Sequence, residues 1–553
     1  MKAPSRMSGK LLRATARVAR TEAGARIILR AYRSDLGIDL LDDLPESARG
    51  DVPLHVTPTT GRPPRAGEDA RLGPIDGPAW PTTSARLAGA YAAGTATPRA
   101  IVERAIAEAR RLAAMTPSIG PILAYTEREA IAEADAATAR YAAKTPRGPL
   151  DGVPCTVKEQ TGVRGLPRQS GASFQSAAPR DADATVVARL RAAGAIVIGS
   201  SPMTEHGLSP IGQNAQRTLP KNPHSPRHTA GGSSTGAGVS VATGLVPFAL
   251  GADGGGSIRI PASINGVFGI KPTWGRVSRA GDSSADTVSH LGPLASSCTD
   301  LAHSLAIIAG HDPDDPETHR APPLDAGSLA RALGRGVRGL RIGVDEREWR
   351  DAASSVQTAG REALRALERE GAVLVPLDIE MARYAPAIGY LTIGLEIRAG
   401  IHWAWREDPN KMSDDLQIAM GVLGAVSAHD YLDAQRLRAG LRREVAKAFG
   451  GVDLLALPAT GETAPAANAA EMVSGFADTR ALHAMCRFNF LANLTGLPAS
   501  SCPVGLDADR LPIGLQLVGD AWDEATVIAA TAHLERIGAA RVEPPQIRVA
   551  LLG

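Results

Sequence analysis

Apolar positions along the chain follow two rhythms. In residues 84–114 and 127–143 they recur every three or four residues within Ala-rich stretches, which predicts helices with one buried face. After Pro146-Arg-Gly148, short apolar runs alternate with helical patterns. Residues 153–157, 195–198, 246–250, 340–344, 372–377 and 452–457 read as buried strands, and 182–193 and 239–244 as helices. This alternation predicts an α/β domain with a mixed, mostly buried sheet. Residues 390–450 read as a long helical stretch holding Trp403, Trp405, Met412 and Met420. It is placed to cap a pocket, although a Met/aromatic stripe at helical spacing is more often core.

The start of the chain departs from this rhythm. Residues 8–34 read as helical, with Leu11, Ala14, Val18, Ile27, Ile28 and Ala31 spaced at three and four residues among arginines. Such a stripe needs cover. The candidates are the chain's own domain, a second copy in a homodimer and, behind both, a lipid surface. Residues 46–82, rich in Pro, Gly, Asp and Arg, read as an extended connector. The expected division is therefore a helical extension and connector over 1–75 and one large domain over 76–553.

Composition narrows the function classes. Lys+Arg is 60 and Asp+Glu is 58, a net charge of +2, which gives no overall footprint for nucleic acid or an acidic membrane. Only eight of the basic residues are lysine, an Arg- and Ala-rich usage expected of a GC-rich bacterial genome. Each lysine in an apolar stretch therefore stands out. Cys155, Cys298, Cys486 and Cys502 lack C-x-x-C spacing and a His cluster, so they read as reduced, buried thiols. With no run of 18 apolar residues and no apolar signal segment, the expected compartment is the cytoplasm.

The chemistry concentrates in two Gly/Ser-rich loops, Gly231-Gly-Ser-Ser-Thr-Gly-Ala-Gly238 and Gly251-Ala-Asp-Gly-Gly-Gly-Ser-Ile-Arg-Ile-Pro261. Neither carries the lysine of a phosphate loop, and no dinucleotide fingerprint fits. Gly232-Ser-Ser-Thr-Gly236 matches G-x-S-x-G around Ser234, but residues 226–230 do not form the strand that a nucleophile elbow needs. A slack linker conflicts with the apolar residues 239–250 and 258–270 that follow the loops. Amide cleavage needs a nucleophile, a base and an oxyanion hole. Backbone N–H groups in a turn over 253–257 can converge on one point because its glycines carry no Cβ. Lys158 ends the apolar run 153–157, where burial would make it a neutral base. A lysine snorkelling at a strand end is the plain alternative. His206, His224 and His228 are the weaker candidates for a histidine base, and Glu205 and Asn222 read as structural.

Gly152-Val-Pro-x-x-Val-Lys158, Gly231-Gly-Ser-Ser234 and Asp253-x-Gly-Gly-Ser-Ile-Arg-x-Pro261, with 24 positions from Ser233 to Ser257, resemble the amidase signature family. Lys271-Pro-Thr-Trp-Gly-Arg-Val-Ser278, Asn493-Leu-Thr-Gly-Leu-Pro-Ala499 and Leu511-Pro-Ile-Gly-Leu-Gln-Leu-Val-Gly519 extend the likeness over residues 80–540. The resemblance implies a single α/β domain, a central mixed sheet covered by helices, and a Ser–cis-Ser–Lys triad. Ser257 would be the nucleophile, Ser233 the bridging serine beside a cis peptide, and Lys158 the base. The N–H groups of Gly254, Gly255, Gly256 and Ser257 would form the oxyanion hole, with Ser234, Asp253 and Arg259 as supporting residues. No cofactor and no metal is implied. Two departures from the family pattern stand out. Thr235 replaces a glycine, so a positive φ there is not expected, and the run Gly254-Gly255-Gly256 has one glycine more than usual.

The implied activity is hydrolysis of a small-molecule carboxylic amide to acid and ammonia or amine. Cleavage of a carbamate or urea-type C–N bond is one alternative. The glutaminase subunit of a tRNA-dependent amidotransferase, which needs partner subunits, is another. A non-catalytic scaffold has no need for Lys158, Ser233 and Ser257 together. The acyl group is expected to lean towards hydrophobic or aryl.

Overall fold

All five residues of the strand Pro154–Lys158 are buried. That is the mark of a strand covered on both faces, as opposed to one alternating between core and water. The computed structural model describes residues 4–52, 58, 82–284 and 286–552. Its strands in chain order are β1 (Arg6–Ser8), β2 (Ala124–Tyr125), β3 (Pro154–Lys158), β4 (Ile196–Ser201), β5 (Phe248–Asp253), β6 (Phe268–Lys271), β7 (His290–Ala295), β8 (Arg341–Val344), β9 (Val373–Pro376), β10 (Leu454–Pro458), β11 (Phe476–Asp478), β12 (Ala499–Leu506) and β13 (Pro512–Gly519). Eleven of them form one sheet in the order β2-β4-β3-β5-β7-β6-β12-β13-β10-β8-β9, while β1 pairs with β11. β3 runs parallel to β4 and β5, and β8 runs parallel to β9 and β10. The strands between β5 and β10 are antiparallel, so the sheet is mixed, as expected.

Helices cover the sheet for legible reasons. Pro98–Ala113 is capped by Thr97, carries Pro98 in its first turn and buries Ile101, Val102, Ala105, Ile106, Ala109 and Leu112. Thr235–Ala242 is buried at all eight positions, the fate of a helix with no polar face. Three expectations are corrected. β6, β7, β12 and β13 are strands that the sequence pattern does not predict, because glycine and proline interrupt them. Residues 372–377 do not form a buried strand: β9 is the sheet edge, with Val373 44% exposed. The stretch 390–450 is three helices, Ala385–Glu407, Asp414–Gly424 and Ala428–Ala448. Met412 and Met420 sit there in a small core with Ile401 and Leu416, so the core reading holds for the methionines, whereas Trp403 is half exposed.

Residues 8–34 form two helices, Gly9–Ala19 and Glu22–Tyr32. They bury Leu12, Ala16, Ala19, Ile28, Leu29 and Tyr32, whereas Leu11, Val18 and Ile27 are 50%, 48% and 65% exposed. The chain breaks at Arg20-Thr21; of the expected stripe Ile28 is buried, whereas in the first helix the buried face falls on Leu12, Ala16 and Ala19 in place of Leu11 and Val18. Both pack on Asp414–Gly424 of the same chain, with Arg20 Nε donating to Gln417 Oε1 at 2.8 Å. Gly421 permits the approach, since a Cβ there would run into the Ala19 carbonyl oxygen. The first residues of the expected connector are packed as well: Arg49 pairs with Asp433 at 2.6 Å. Most of the connector and the expected boundary at residue 76 lie outside the described residues. Among the described residues no helix is long and apolar enough to cross a membrane. The four cysteines are free and buried, as expected.

Candidate active site

β3 and β5 lie side by side, with Val157 opposite Leu250. Their ends deliver Lys158 and the turn after Asp253 to one place. The helix Thr235–Ala242 also starts there, directly after Ser233 and Ser234. A cavity of about 200 Å³ opens at this junction, and Lys158, Ser233, Gly254 and Ser257 all line it. Four sequence-expected residues from three separate segments are thus brought together.

Lys158 is 1% exposed, and its Nζ lies 2.7 Å from Ser233 Oγ and 3.3 Å from the Ala252 carbonyl oxygen. Burial lowers its pKa to about 7, against the opposing pull of Asp282, Asp253 and Asp286. It is therefore a buried amine largely free to shed its proton near neutrality, which sets aside the snorkelling alternative. The Gly232–Ser233 peptide is cis. Gly207 leaves room beside it, because a Cβ there would sit 3.1 Å from Ser233 Oγ. Thr235 is helical, without positive φ, and its Oγ1 donates to the Gly231 carbonyl at 2.7 Å. Ser234 is not among the residues that line the cavity. Its Oγ donates to the Ala252 carbonyl at 3.2 Å and accepts from the Ala252 N–H at 3.3 Å, tying the first loop to β5.

Asp253 and Arg259 hold the second loop. Both are fully buried and paired at 2.8 Å. Asp253 also accepts from the Gly256 N–H at 2.7 Å and the Ile258 N–H at 3.2 Å, and Arg259 Nη2 donates to Asn493 Oδ1 at 2.6 Å. Burial alone would raise the Asp253 pKa, but Arg259 and Asn493 hold it well below the usual carboxylate range. Of the four N–H groups of the expected oxyanion set, that of Gly256 donates to Asp253 Oδ1. The N–H groups of Gly254, Gly255 and Ser257 have no acceptor among the described residues. The extra glycine has a steric reason: a Cβ on Gly254 would lie 2.6 Å from Ile393 Cδ1 and 2.7 Å from Ser289 Oγ.

The other sequence candidates have quieter places. His206 lines the cavity, stacked on Phe174 at 5.2 Å, and burial drives its pKa down to about 4. His224 contacts the Asn265 carbonyl and His228 contacts Ser225 Oγ, both apart from the cavity lining. Glu205 accepts from the Ser413 N–H, and Asn222 donates to the Ile264 carbonyl at 2.8 Å, both structural as expected. Sequence reasoning missed Asn493 as the partner of Arg259, although a lone amide among Leu491, Ala492 and Leu494 was a usable signal. It also missed Gln160, Arg168, Ser283, Asp286 and Glu396 in the cavity wall, which carry no local signature. Trp403, Trp405, Met412 and Met420 are not part of that wall.

The model of the amidase family matches residues 103–528, a span that holds Lys158, Ser233 and Ser257. The chain belongs to the amidase family. Over 474 residues it is 36% identical to a glutamyl-tRNA(Gln) amidotransferase subunit from Anaeromyxobacter dehalogenans (strain 2CP-C), covering 81% of this amidase and 94% of the relative. Over 461 residues it is 32% identical to fatty acid amide hydrolase of Arabidopsis thaliana, covering 82% and 76%. The solved structure of peptide amidase from Stenotrophomonas maltophilia matches with a TM-score of 0.71 at 26% identity, covering 85% of this amidase and 99% of that chain.

Proposed function

We propose that this amidase hydrolyses a small carboxylic amide through an acyl-enzyme on Ser257. The observation that carries the reading is the 2.7 Å contact of buried Lys158 Nζ with Ser233 Oγ in the cavity that Ser257 lines. Neutral Lys158 accepts a proton from Ser233, which accepts one from Ser257 as that oxygen attacks the amide carbon. The oxyanion that forms is received by the N–H groups of Gly254, Gly255 and Ser257, with Gly254 and Ser257 lining the cavity. Ser233 returns a proton to the leaving nitrogen, which departs as ammonia or amine. Water then attacks the acyl-enzyme by the reverse relay, releasing the acid and restoring Ser257. Asp253, Arg259 and Ser234 hold the loops in register.

Cavity size bears on the acyl group. About 200 Å³ is below the roughly 300–1,000 Å³ of sites that enclose drug-sized ligands, which favours a short acyl group over a long chain. Gln160, Arg168 and Ser283 in the wall favour a partly polar group, against the hydrophobic lean read from Trp403 and Trp405. The 36% identity to an amidotransferase component supports a second reading, a glutaminase that works with partner subunits. Purified protein assayed against short-chain amides, anilides, carbamates and glutamine tests both. Release of acid and ammonia or amine that disappears in Ser257→Ala supports the first reading. Turnover of glutamine alone supports the second, and turnover surviving in Ser257→Ala contradicts both.

A further inference from the structure

The cavity wall contains one charged group that the relay does not use and that no carboxylate satisfies. Arg168 is half-buried in the lining, and its Nη1 donates to the Gly281 carbonyl at 2.8 Å. Among the described residues it has no ion pair. Asp282 near it and the two acids of the cavity wall, Asp286 and Glu396, are occupied. Asp282 accepts from Gln160 Nε2 at 2.9 Å, Thr161 Oγ1 at 2.7 Å, and the N–H and Oγ of Ser284 at 2.9 and 2.6 Å. Asp286 accepts from the Val288 N–H at 3.0 Å and from Ser289 Oγ at 2.7 Å. Glu396 accepts from the Thr287 N–H and Oγ1, each at 2.8 Å, and from Tyr431 at 2.9 Å. Burial and the nearby charge of Arg180 work against the Arg168 cation, and the charge of Asp282, which forms no ion pair with it, offsets them only in part.

A guanidinium fork with unused donors, in a cavity whose acids are already hydrogen-bonded, matches one kind of ligand: a planar anion that takes two N–H bonds side by side. The helix Ala385–Glu407 presents Ile393, Ile397 and Ile401 to the same cavity, and they suit a short aliphatic spacer. Resting on the hydrolytic reading above, we propose that Arg168 is a specificity-determining residue and that the substrates are amides bearing a carboxylate, such as monoamides of short dicarboxylic acids. The amide lies at Ser257, and the carboxylate at the far end of the acyl chain is held by Arg168. The product of such a cleavage is a dicarboxylate, so a reaction that consumes short dicarboxylic acids must follow it.

Matched substrates test this. The monoamides of succinic, glutaric and adipic acids are compared with neutral amides of equal chain length, in the wild type and in Arg168→Gln and Arg168→Lys. The expected result is a kcat/KM preference for at least one carboxylate member, carried mainly by KM. Arg168→Gln should shrink that ratio by about 10- to 100-fold, the weight of a charge-assisted pair, and Arg168→Lys should restore part of it. Calorimetric binding of the same compounds to Ser257→Ala, with and without Arg168→Gln, reads the contact without any turnover. Equal affinity for charged and neutral members, or a carboxylate preference unchanged by Arg168→Gln, overturns the inference. Arg168-dependent binding with no hydrolysis of any amide by the wild type supports the contact and contradicts the hydrolytic reading instead.

Discussion

Replacing Lys158 by methionine separates the activity of this amidase from its stability. Burial lowers the lysine pKa from 10.5 to about 7, a difference of about 5 kcal/mol against the charged form. At pH 7 about half of the side chains are neutral, where an unburied lysine would be neutral in roughly one molecule in 3,000. The sign for stability follows from proton binding. Between pH 7 and 10.5 the unfolded chain holds a proton on Lys158 that the folded chain does not, so this group makes stability rise with pH across that window. The destabilisation is present in full below pH 7, and from pH 6 to pH 9 it shrinks by about 2–3 kcal/mol. Lys158→Met removes both effects. The variant should lose Ser257 acylation by about 10³-fold or more, yet gain stability relative to the wild type, more at pH 6 than at pH 9. Glu205, raised to about 8, and Lys221, lowered to about 8, titrate in the same range and cancel in the comparison. The assay pairs the pH profile of fluorophosphonate labelling with denaturant unfolding of both proteins at the two pH values. A wild-type labelling rate that stays flat from pH 6 to 9, or an identical pH dependence of stability in both proteins, refutes the reasoning.

Asp253→Asn leaves the buried Arg259 without a counter-charge, so unfolding measurements should show a loss of about 3–5 kcal/mol together with slowed labelling of Ser257. Gly254→Ala places a methyl 2.6 Å from Ile393 Cδ1, and denaturation should show about 1–3 kcal/mol of overpacking with impaired acylation. Removing residues 1–52 uncovers the face of Asp414–Gly424 that Leu12, Ile28, Leu29 and Tyr32 bury. At about 1.5–3 kcal/mol for each large apolar side chain, the thermal midpoint should fall clearly, while the folded fraction keeps its labelling of Ser257. Light scattering with active-site titration checks this, and lost labelling in a folded truncated protein contradicts it.

Legibility in the sequence tracks local determinants. Residues 153–157 are readable as a strand because their apolar run is continuous, and Lys158 stands out because lysine is rare in this chain. The two serine loops are readable because glycine density before apolar residues signals close backbone packing. β7 and β12 are hidden because Pro293 and Pro503 argue against central strands; at Pro503 the pairing with β13 shifts register. The extension is half legible: its helices are evident, but within Gly9–Ala19 the buried face is Leu12, Ala16 and Ala19, with Leu11 and Val18 turned outward. The hydrogen bond of the Gly256 N–H to Asp253 is not legible in the sequence, because only the folded turn brings the two together. Arg168, Asp286 and Glu396 come from segments that are distant in sequence and meet only in the folded cavity.

The central claim is that Ser257 carries the acyl group. Incubating the amidase with a small fluorophosphonate, then locating the adduct by intact mass and peptide mapping, tests it most directly. The account predicts one adduct per chain, on Ser257, forming faster as pH rises through about 7 as Lys158 becomes neutral and absent from Ser257→Ala. An adduct on Ser234 or on Ser233, or undiminished labelling of Ser257→Ala, would contradict it.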